Sequence, residues 1–149
     1  MHLRPSGGIA LLGALLLLAM GCNGGSTPAE PKSDVIALAS VDPPLGSKLL
    51  LGTRVTVTAR YHYQLATATG GHVSVSSYPA DVQTDPASLR VDLQSRRGDF
   101  TLRFVTFVPL SHLFSTETHV NFPLLLYPQD SPNATAGDTL YYTVAAFGQ

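Results

Sequence analysis

Tryptophan is absent from this 149-residue chain, and cysteine occurs once, at position 22. One sulfur cannot close an internal disulfide, so the fold must rest on a hydrophobic core. Charge is scarce as well. Asp, Glu, Lys and Arg make up 13% of the residues, about half the usual share of roughly 25%. The formal net charge is −1 and no basic stripe stands out, which argues against nucleic acid or an anionic membrane surface as a partner. No apolar run reaches the about 20 residues that a membrane-spanning helix needs. The longest, Ile9 to Met20, stops short of it. Past that run no segment has helical periodicity, and nothing repeats at solenoid or propeller spacing.

Catalytic and metal-binding signatures are missing too. A serine hydrolase would show a G-x-S-x-G elbow, and none occurs. The adjacency of Ser111 and His112 means little, because triads assemble in space. Acidic residues are scattered singly over turns and polar faces, without the pairing that glycoside hydrolysis uses. Four histidines remain once His2 is set aside: His62, His72, His112 and His119. His62 and His72 could meet across a hairpin and share a metal with Asp81, but no H-x-H or HExxH spacing supports it. Solvated surface histidines are the expectation, with no metal, no cofactor and no enzymatic activity. Arg97-Gly98-Asp99 spells an adhesion tripeptide, yet glycine and aspartate also suit the hairpin turn expected there. Asn133-Ala134-Thr135 is a sequon-like polar loop.

What the chain does have begins at its N-terminal end. His2 and Arg4 precede the apolar run, which closes on Leu15 to Cys22, LLLLAMGC. A charged start, a short apolar core and small residues before a cut make a secretory signal. Gly21 and Cys22 resemble the lipobox of bacterial lipoproteins, although alanine stands at position 19, where leucine is usual. The resemblance implies cleavage before Cys22, lipid on its sulfur and three acyl chains in all. Multiple chains are what stable anchoring takes. Asn23 follows the cysteine where an aspartate would favour inner-membrane retention, so the outer membrane of the envelope is favoured. Without Arg4, eight basic and ten acidic side chains remain, a net charge of −2.

Residues 22–33 continue as CNGGSTPAEPKS. With two glycines, two prolines and no large apolar residue, they read as a flexible tether. Eleven extended residues reach at most about 35–40 Å. The organisation expected is therefore a signal peptide over 1–21, a lipidated linker over 22–33 and one folded domain over 34–149.

Within that domain, Arg54 to Leu65 alternates without a break. Val55, Val57, Ala59, Tyr61, Tyr63 and Leu65 fall on one side, and Arg54, Thr56, Thr58, Arg60, His62 and Gln64 on the other. Period two over twelve residues specifies a strand with one face in the core. Further strands are expected at Val35 to Val41, His72 to Tyr78, Leu89 to Ser95, Phe100 to Val108, Thr118 to Tyr127 and Thr139 to Phe147. Leu45 to Gly52 reads as a crossing segment. Turn clusters are expected at Thr84-Asp85-Pro86, Arg97-Gly98-Asp99 and Ala136-Gly137-Asp138, among others. Seven short strands with regular turns predict an all-β sandwich or barrel.

Leu50, Gly52, Thr53, Val55, Thr56, Val57 and Thr58 resemble the "L-x-x-G-T-x-V-T-V-T" entry to the second strand of immunoglobulin-like and fibronectin-III-like domains of bacterial envelope proteins. That resemblance implies an immunoglobulin-like antiparallel sandwich of about seven strands. The missing tryptophan and cysteine pair exclude an antibody-type domain.

In the last two strands, Val120, Phe122, Leu124, Leu126, Leu140, Tyr142 and Val144 are expected to face the core. Leu125, Tyr127, Tyr141 and Phe147 would then lie outside, as an apolar patch suited to a protein partner. Pro123 is expected to break the register. The function expected is non-catalytic binding or structural support at the membrane surface, with a partner protein in the envelope. The alternative is a small-ligand or glycan module, whose aromatic residues would converge on a concave site.

Overall fold

The structure, a computed structural model, describes residues 32–114 and 118–145, less side chains 113 and 114. The signal segment, Cys22, nearly all of the tether and Phe147 lie outside the described residues. Nine strands form in order: β1 (Val35–Asp42), β2 (Lys48–Leu50), β3 (Arg54–Gln64), β4 (Gly71–Val75), β5 (Gln83–Asp85), β6 (Leu89–Leu93), β7 (Arg97–Phe107), β8 (His119–Pro128) and β9 (Ala136–Ala145). A short 3-10 turn, Leu110–Phe114, follows β7. The described residues include no α-helix.

The strands make two sheets, β1-β3-β7-β5 and β2-β9-β8-β4-β6. Every pairing is antiparallel except β2 with β9. This is an immunoglobulin-like all-β sandwich. It has two strands more than the seven read from the sequence, because β2 and β5 are three residues long, too short for periodicity to reveal. Three expected turns are strand instead. Arg97-Gly98-Asp99 pairs with Gln64, Tyr63 and His62 in β3. Asp85 closes β5, and Ala136-Gly137-Asp138 opens β9.

Alternation in β3 does what period two requires. Val57, Ala59, Tyr61 and Tyr63 are buried while Arg54, Arg60 and His62 are exposed. In β8, Val120, Phe122, Leu124 and Leu126 are fully buried, as are Leu140 and Tyr142 in β9. With no tryptophan to anchor it, the core is built around a run of phenyl and phenol rings. Tyr61 stacks on Phe100 at 5.3 Å; Phe104 meets Phe122 edge-on at 4.9 Å, and Phe122 meets Tyr142 at 6.1 Å. Offset and edge-on geometries are those the ring quadrupole favours.

Pro123 does not break the register. Its carbonyl accepts from the Ser76 N–H, so its missing donor points to the side where β4 has already ended at Val75. The one ladder bond this forgoes is to Ser76, just past the end of β4, and β8 continues beside β9 without a shift.

The eleven-residue strands β3 and β7 run from one pole of the sandwich to the other. Residue 34 enters at one pole, where the Asp34 carboxylate accepts from the Ala66 N–H at 2.6 Å and from the Thr135 hydroxyl. Arg96 donates to the carbonyls of Leu65 and Ala66 at the same pole. The domain therefore begins at an end where three chain segments are tied together. The opposite pole carries the Leu51–Thr53 turn and the 3-10 turn.

Candidate functional site

Each sheet presents one face to solvent, and the two differ in chemistry. On the four-stranded sheet the outward residues of β3 and β7 include Arg54, Arg60, Arg97 and Arg103. Asp42, Asp85 and Asp99 are interspersed with them. The signs alternate over the face, so no single-signed field builds up. His62 sits opposite Asp99 and its Nδ1 contacts that carboxylate.

The five-stranded sheet turns a different surface outward. On β8 the exposed side carries His119, Asn121, Pro123, Leu125 and Tyr127, and on β9 Gly137, Thr139, Tyr141 and Thr143. None of these nine is Asp, Glu, Lys or Arg. Of the four residues expected to form the outer patch, Leu125 and Tyr141 are exposed, at 41% and 48%. They are not neighbours. Leu125 pairs with Gly137 and Tyr141 with Asn121, which separates them by four residues, about 13 Å along a strand. Tyr127 is half-buried, with its ring stacked on His72 at 4.9 Å and nearly parallel. Phe147 lies outside the described residues.

The residue that joins Tyr141 is Tyr78, which the sequence reading leaves without a role. It is 53% exposed and forms an antiparallel bridge to Asn121, with both N–H···O distances at 2.8 Å. Asn121 thus lies between Tyr78 on one side and Tyr141 on the other. These two are the only exposed large aromatic side chains among the described residues. A signal was present in the sequence: His72, Ser74, Ser76 and Tyr78 share one parity, opposite to the buried Val73 and Val75.

Two glycines flatten this face. A Cβ on Gly46 would meet the Tyr141 ring at 3.7 Å, and one on Gly137 would meet Leu125 Cδ2 at 3.3 Å. Both exposed side chains therefore lie against backbone that carries no side chain of its own. The half-buried Asn121 amide makes no hydrogen bond among the described residues.

Nearer the tether pole, a polar cleft of about 460 Å³ opens on the same sheet. His72, Arg90, Asp92, Gln94, Gln129 and Ser131 line it, with Arg90 Nε donating to Asp92 at 2.9 Å. Its volume falls in the range of small-molecule sites, but its lining lacks their apolar share.

The histidines do not form the arrangement considered from the sequence. His62 lies on β3 and His72 on β4, strands that belong to different sheets and so do not form a hairpin. Asp81 Oδ2 instead accepts from His112 Nδ1 at 3.0 Å, and His112 is buried, not solvated as expected. The 3-10 turn holds its ring inside the pole next to the carboxylate. Among the described residues no three of His, Cys, Asp and Glu converge as a metal site would require.

No protein-family model matches the chain, and no curated protein matches it. Among solved structures it is similar to domains 4 and 5 of the S-layer protein SbsC, at 15% identity and a TM-score of 0.42. That match covers 75% of this chain and 51% of the other, so the chain spans about half of that structure's length.

Proposed function

We propose that this chain is an envelope lipoprotein, anchored through Cys22, whose sandwich is a non-catalytic binding module. The observation that carries the binding half is the placement of Tyr78, Leu125 and Tyr141 on one sheet face whose two central strands, β8 and β9, turn no charged residue outward. Exposed aromatic and apolar side chains grouped on a rigid face mark interaction surfaces. The anchoring half is supported by the lipobox-like LLLLAMGC and the glycine- and proline-containing tether behind it. Asp34 ties the start of the domain to one pole, so a tether of this reach leaves both sheet faces open to partners. Outer-membrane sorting follows from Asn23 by the lipoprotein resemblance.

In-cell crosslinking followed by pull-down from membranes tests the binding half. Wild type is compared with a variant carrying Tyr78→Ser and Tyr141→Ser, the two exposed tyrosines of the face. The expected result is a crosslinked species recovered with wild type and lost with the variant. Recovery of every species from both would remove the face from consideration. A second reading, a small-ligand module, is favoured by the cleft beside His72, and binding there would be lost on Arg90→Ala while Tyr141→Ser left it intact.

A further inference from the structure

We draw no further inference here: the strongest candidate, the outer face of β8 and β9 where Tyr141 and the adjoining Tyr78 stand exposed, carries none because nothing in the structure shows what covers it.

Discussion

Two tyrosines in the core show how much one hydroxyl partner matters. Tyr142 donates to the Pro43 carbonyl at 3.1 Å, whereas the fully buried Tyr61 hydroxyl meets no partner at hydrogen-bond geometry among the described residues. Removing a made bond costs about 1 kcal/mol, while removing an orphaned group costs nothing or gains up to about 1 kcal/mol. Urea unfolding of Tyr142→Phe and Tyr61→Phe should therefore give opposite signs or a loss confined to the first. Both phenols are held neutral by burial. Desolvation, and after it the Asp42 charge, pushes Tyr142 from 10.0 up to about 12. Burial and then Asp138 push Tyr61 further above the ordinary phenol range. The unfolded chain gives up these protons first, so stability is full below about pH 10 and falls as pH rises through about 12. Thermal melts across that window should show the fall, and a Tyr61→Phe, Tyr142→Phe double variant should lose most of it. At the tether pole, Asp34→Ala strands the Ala66 N–H and the Thr135 hydroxyl. Chemical unfolding should report a loss of about 1.5–3 kcal/mol, the scale of hydrogen bonds to a charged acceptor.

Among the strands, β4 is the one most exposed to a single change. Gly71 pairs with Pro128 of β8 and Leu93 of β6, and a Cβ there would stand 2.4 Å from the Tyr127 carbonyl oxygen. Backbone cannot yield as a side-chain tip can. Gly71→Ala should cost about 1–3 kcal/mol, the usual range for overpacking, seen as a lowered melting temperature and faster amide exchange in β4. How far the elements could be read in advance depends on length and parity. β3, with eleven residues, announces itself by alternation, and the same rule places the buried sides of β8 and β9. Three-residue β2 and β5 carry no period to read. Parity also says nothing about which sheet a strand joins, and that is why His62 and His72 looked like candidates for one hairpin. Arg97-Gly98-Asp99 has turn composition, but its pairing with β3 comes from the long register between Arg54 and Gln64. Burial of His112 depends on the pole closing over the 3-10 turn, a tertiary event with no local signature. The outer position of Leu125 and Tyr141 was legible; their separation was not, because it needs the β8–β9 register. Tyr78 was legible by parity, and its neighbour across Asn121 was not.

For the whole molecule, the two outer faces differ in chemistry. The four-stranded sheet carries mixed charge over its outer face, while the outward side of β8 and β9, with Tyr141 and the adjoining Tyr78, carries no charged residue and is the surface proposed for a partner. Under the proposed anchoring, tethering raises the effective concentration of such a face near the membrane, so modest affinity suffices for occupancy. This arrangement has a purpose only if the chain is held at the envelope, and Cys22 is the proposed hold. Intact-mass and N-terminal peptide analysis of the chain from fractionated cells tests that most directly. The expected result is a membrane-fraction protein that begins at Cys22 and carries acyl groups there, with Cys22→Ser released to the soluble fraction. A chain with an unmodified Cys22 recovered from the soluble fraction would contradict it.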